Sequence, residues 1–173
     1  IKISGYACSF LLRLFATFEN LAETYLNEEI LNRSIITMTN QSNIYAIKVI
    51  LQSNPELIEA ALGGGLIEKF EEIYREHIND KINTISSEVL ETLAFIARYP
   101  EEGDEKYGQA AVETFIQLTN ESLDKEDVST YSIVYYYMSM IDVIFPILVS
   151  SGTLEKLFAF YLSNDDDVGI NKF

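Results

Sequence analysis

Residues 58–74 read IEAALGGGLIEKFEEIY, and the three consecutive glycines at 63–65 admit two readings: a loop that cradles phosphate, or a joint between two helices. A phosphate loop of the GxxxxGK[ST] type needs its lysine and hydroxyl directly after the last glycine, because these reach the phosphates and the metal. Here Gly65 is followed by Leu66, Ile67 and Glu68. A dinucleotide-binding turn needs a strand before its glycines. The preceding PELIEAAL (55–62) instead opens with Pro55, favoured in the first turn of a helix, and reads as helical. Glycine accepts positive φ without a Cβ clash, so the triplet is suited to end one helix and start the next at a sharp angle. The joint is the reading we adopt.

On the C-terminal side of the joint, Ile67, Phe70, Ile73 and Tyr74 fall on one helical face and Glu68, Glu71, Glu72 and Glu76 on the other, the pattern of a helix lying on a core. After a short loop, Ser86-Ser87 is placed to start a further helix, EVLETLAFIARYP (88–100). Its apolar Val89, Leu90, Leu93, Ile96 and Ala97 run up to a stop near Pro100. The order is short helix, long helix, long helix.

Sliding the chain along itself recovers that order. A shift of 45 sets SEVLETLAFIARYPE (87–101) over SNIYAIKVILQSNPE (42–56), and a second such step lands on IVYYYMSMIDVIFP (133–146). For the middle helix, Ile67 and Phe70 match Val112 and Phe115 and then Leu154 and Leu157, in steps of 45 and 42. The junction also returns, because SSGTLEKLFAFYLSNDDDV (150–168) mirrors GGGLIEKFEEIYREHIND (63–80), with Gly152 set opposite Gly64. A period in the low forties built from helices is the mark of an α-solenoid.

These residues resemble armadillo repeats, or the related HEAT type: a glycine closing a short first helix, an apolar-Glu-Lys-apolar second helix, an Asp/Asn-rich turn and a third helix of small and large apolar residues. The likeness is clearest in 41–173 and more divergent in 1–40, where LAETYLNEEILNRSIITM (21–38) reads as one second helix of a degraded repeat. It implies a single all-α domain over 1–173, a right-handed α-α superhelix of about three and a half repeats, each dependent on its neighbours for burial. It also implies binding of a protein segment along the concave row of third helices. One branch of the family, the nuclear import adaptors similar to importin alpha, grips basic signals with a ladder of tryptophan and asparagine. This chain has no tryptophan; the asparagine position falls on Ile50, Phe95 and Met140, and the tryptophan position on Ala46, Glu91 and Tyr136.

Composition narrows the function classes. The 173 residues are 48% apolar and 12% aromatic, sufficient for a packed core. With 27 acidic against 12 basic residues the net charge is −15, a field that repels phosphate backbones, so nucleic acid is not an expected partner. The same field speeds the approach of a basic protein segment, although acidity also keeps soluble domains dispersed. Cys8 is the only cysteine and no secretory leader pattern opens the chain, which fits a reduced intracellular setting, cytoplasmic or nuclear. The start at Ile1 rather than methionine suits a processed product or an excised fragment. The stretch IVYYYMSMIDVIFPILV (133–149) nears the length of a membrane span but carries Asp142 and Pro146, and reads as a buried helix ending before Pro146.

No constellation points to catalysis. His77 is the only histidine and lies toward the end of an acidic helix, where an imidazolium suits the dipole. With Cys8 it is too little for a zinc site, and Asp165-Asp166-Asp167 lacks the alternating ligands, glycine and distal glutamate of a calcium loop. Glu71-Glu72 and Glu101-Glu102 read as solvated faces, since neighbours on a helix point apart. Triplets of the glycosylation type at Asn32, Asn40 and Asn120 are discounted as chance patterns. The tyrosine run 135–137 offers contact area with a polar tip, as binding surfaces do. The expectation is therefore a non-catalytic adaptor, scaffold or regulatory subunit without cofactor or metal. Its partner segment, a basic one on the strength of charge, would meet Glu91, Phe95, Tyr136 and Met140 on the concave side. An import-type receptor for basic signals is the alternative, and an acid/base enzyme using clustered carboxylates the third.

Overall fold

Several helices of the chain begin or end for a reason visible in their residues. The computed structural model describes residues 5–78, 84–98, 105–124 and 145–163. Its elements are α1 (Gly5–Thr17), α2 (Glu19–Tyr25), α3 (Glu28–Ile36) and α4 (Gln41–Ser53). A single 3-10 turn (Pro55–Leu57) leads into α5 (Ile58–Gly63), followed by α6 (Leu66–His77), α7 (Thr84–Ala97) and α8 (Glu105–Leu123). A helical segment at 145–150, α9, precedes α10 (Thr153–Ser163). There is no strand among the described residues, so the chain is all-helical there.

Two asparagines set the starts of α3 and α4. Asn27 Oδ1 accepts from the Ile30 amide at 3.0 Å and Asn40 Oδ1 from the Asn43 amide at 3.1 Å, each satisfying an amide that has no partner within the first turn. The stretch 21–38, expected as one helix, is therefore two: Leu26 is extended and Asn27 opens a new helix. α7 is already helical at Thr84, ahead of the expected Ser86-Ser87 start, and Ser86 is fully buried within it. Pro146 lies in the helical segment 145–150; residues 125–144, on which the helix expected to end before Pro146 falls, lie outside the described part.

The glycine joint resolves into three different jobs. Gly65 takes φ 86°, the left-handed conformation that L side chains rarely adopt. Gly64 has ordinary φ, but a Cβ there would meet Asn32 of α3 with Cγ at 2.8 Å. Gly63 would meet nothing within 4 Å. The same turn recurs before α10, where Gly152 has φ 69°. Gly65 N–H donates to Leu62 O and Lys69 N–H to Gly65 O; Gly152 N–H donates to Val149 O and Lys156 N–H to Gly152 O. Gly152 is thus the counterpart of Gly65 and not of Gly64, as the match of Leu154 and Leu157 with Ile67 and Phe70 also requires. The conformational demand, and not the number of glycines, sets the alignment.

Packing follows two rows. α1 lies against α4 and α4 against α7; α3 lies against α6, α6 against α8 and α8 against α10. α7 joins the rows through contacts with α6 and α8. Ile44, Ile47 and Leu51 of α4, Phe70 and Tyr74 of α6, Leu90 and Leu93 of α7, and Phe115 and Leu118 of α8 are all fully buried between them. The apolar faces read from periodicity in α6 and α7 are those that face the core, with Leu66 buried and Ile67 only half-buried.

Candidate functional site

The row α1–α4–α7 carries an open cleft of about 670 Å³. Arg13, Ala16 and Thr17 line it from the last turns of α1, Gln41, Ser42, Tyr45, Ala46 and Val49 from α4, and Glu88 from α7. The helical repeat explains the selection, since 13, 16 and 17 share one face of α1, and 42, 45, 46 and 49 one face of α4. Asn43 Nδ2 donates to Ser9 Oγ at 2.8 Å and Thr84 Oγ1 donates to Gln41 Oε1 at 3.0 Å, so α4 is fastened to the helices on both sides. Tyr45 is 52% exposed at this surface, a large aromatic face with a free edge to water.

Beneath Tyr45 lies the most buried charge of the described residues. The Lys48 ammonium donates to Glu88 Oε2 at 2.9 Å and also to Glu91 Oε2, and it sits 5.3 Å from the Tyr45 ring centroid. Burial on its own pulls the Lys48 pKa down. Its hydrogen bonds to Glu91 and Glu88 and their negative charge together outweigh it, and the group is held above its ordinary value of 10.5. Lys48 therefore stays charged, bridging two carboxylates that would otherwise repel one another. One of the two, Glu88, also faces the cleft.

Of the four residues expected at the binding surface, Glu91 and Phe95 share one face of α7. Glu91 is half-buried and engaged by Lys48; Phe95 is half-buried and packs against the core. Tyr136 and Met140 lie outside the described residues, as do the tyrosine run and the Asp165–Asp167 turn. On α4 the positions aligned with Glu91 and Phe95 are Ala46 and Ile50, 2% and 1% exposed, and Tyr45 and Val49 are among the α4 residues that line the cleft. Arg13, Tyr45, Lys48 and Glu88 were missed by the sequence reading. A usable signal existed for two of them, since Lys48 lies 40 and 43 residues before Glu88 and Glu91, close to one period.

Other candidates are structurally occupied. Asn40 caps α4, Asn32 lies against Gly64, and Asn120 Nδ2 donates to Thr153 Oγ1 at 2.9 Å. His77 is the half-buried last residue of α6. Among the described residues no three His, Cys, Asp or Glu side chains are grouped as metal ligands, and no helix is long and apolar enough to cross a membrane. No protein-family model, curated protein or solved structure matches the chain.

Proposed function

We propose that the chain is a non-catalytic interaction module of the armadillo/HEAT-like α-solenoid type, an adaptor or regulatory subunit that takes a segment of another protein along the α1–α4–α7 row. The observation that carries this reading is the cleft itself: an open channel on one row of helices, with an exposed tyrosine and polar groups at its edges. The solenoid part draws support from the two rows of contacts, and from inter-helix hydrogen bonds that join residues 40 to 48 apart, about one repeat. A surface of this kind is assembled only when successive repeats stack, and an extended segment can then touch several helices at once.

The import-type alternative loses support at α4, because the positions that would bear its ladder are the buried Ala46 and Ile50. Selection of peptides from a random display library, followed by mapping of their binding site by chemical-shift perturbation, tests the proposal. The expected outcome is shifts concentrated in Arg13–Thr17, Gln41–Val49 and around Glu88, abolished by Val49→Asp. Selected peptides that map to the α6–α8 side, or an absence of any saturable binder, would refute it.

A further inference from the structure

Resting on the proposed segment-binding role of the cleft, we infer that Arg13 is its anchor for a carboxylate on the bound segment, an Asp or Glu side chain set beside an apolar or aromatic residue that covers Tyr45. With 27 acidic and 12 basic residues, a cation on this surface has carboxylates available in excess. Accordingly Arg33, Lys48, Lys69, Arg75 and Lys156 each lie against at least one carboxylate, and Arg98 is also engaged. Arg13 is the exception among the cations whose side chains are described: it is exposed, it lines the cleft, and its guanidinium has no ion pair or hydrogen bond to any described residue.

The carboxylate nearest in role, Glu88, is the only acidic residue lining the cleft among the described residues, and Lys48 holds it. Among the described residues, the cleft therefore presents a cation without a counter-charge in a protein whose net charge is strongly negative. Gln41, which lines the same cleft, has its side-chain oxygen committed to Thr84, which leaves its amide N–H donors for a ligand. The guanidinium fork suits a planar carboxylate, which accepts two parallel N–H bonds. Apolar Ala16, Ala46 and Val49 with the Tyr45 ring provide the surface for an adjoining side chain. Because the whole-chain field repels anions, the segment carries one carboxylate among neutral or basic residues and not an acidic run.

Peptides selected by wild-type protein from the random display library, measured by fluorescence anisotropy, decide this. The expected result is an Asp or Glu at one fixed position next to an aromatic or aliphatic residue. Changing that acid to its amide should weaken binding to the wild type about tenfold and leave binding to Arg13→Gln unchanged. A library re-selected on Arg13→Glu should prefer Lys or Arg at the same position. Arg13 is exposed, so both variants are expected to melt with the wild type, and the amide substitution on the peptide needs no variant at all. Peptides that bind in the cleft without an acidic preference, or whose preference survives Arg13→Glu, overturn the anchor and leave the segment-binding role standing. Peptides that bind elsewhere, or none that bind, overturn both. A phosphoserine peptide that binds wild type far more tightly than its Glu counterpart would replace the carboxylate by phosphate and also overturn the inference.

Discussion

The seams between successive helices differ on the two rows. Between α6 and α8 the joining group is the fully buried Tyr74, whose hydroxyl donates to Leu118 O at 3.0 Å and shares a further hydrogen bond with Ser122 Oγ, amid buried Phe70, Phe115 and Thr119. Between α4 and α7 it is Lys48 held by Glu88 and Glu91, whose side chains are 16% and 30% exposed, with water and the cleft close by. Both seams join residues about one period apart. The difference is one of solvent. A dry seam stabilises through packing and a satisfied hydroxyl, whereas a half-wet ionic seam adds less stability and leaves polar groups at a surface where a partner can reach them.

The dry seam is most sensitive at Tyr74. Tyr74→Ala removes a large side chain from a fully buried site, and should cost about 4 kcal/mol in urea denaturation, enough to unfold a marginally stable helical protein. Lys48→Ala leaves Glu88 and Glu91 facing each other without a counterion. A buried pair broken in this way costs 3–5 kcal/mol, and the partial exposure of both glutamates reduces the expectation to about 2 kcal/mol by the same measurement. If Lys48→Ala proves more costly than Tyr74→Ala, the assignment of dry and wet seams is reversed. Tyr74→Phe keeps the ring and loses only the hydroxyl, with an expected loss of about 1 kcal/mol.

The smallest effect is in pH. The folded-state pKa of Lys48 lies above its ordinary value of 10.5, so its contribution is complete below pH 10.5 and is lost as pH rises through the folded value. Melting temperatures of wild type and Lys48→Met should therefore differ by a constant amount from pH 7 to 9 and converge only above about pH 10.5. A gap that closes near neutrality would mean that Lys48 is not the charge holding this seam.

Much of the core was legible because burial on a helix imposes a 3.6-residue rhythm. Phe70, Ile73 and Tyr74, and Val89, Leu90, Leu93, Ile96 and Ala97, could be assigned inward from spacing alone, and all of them are buried. The junction was legible as well, since glycine before an apolar-Glu-Lys-apolar run has few other uses. The division of labour within it was not, because Gly64 and Gly65 look alike in sequence, whereas one is crowded by Asn32 and the other bears positive φ. The surface was harder. Glu91 and Phe95 lie one turn apart on α7, but whether that face meets solvent depends on how α4 and α7 are rotated against one another, and there Lys48 takes up Glu91. Arg13 escaped notice because α1 lies in the divergent part of the chain, where no repeat aligned it with anything.

What the sequence determined by itself is local: which segments are helical, where they are jointed and which sides are apolar, because each is set by residues within a few positions of one another. What only the tertiary structure decided is which charges remain without partners. Pairing depends on distances between residues about 40 apart in the chain, as between Lys48 and Glu88, and those distances exist only once the helices have packed.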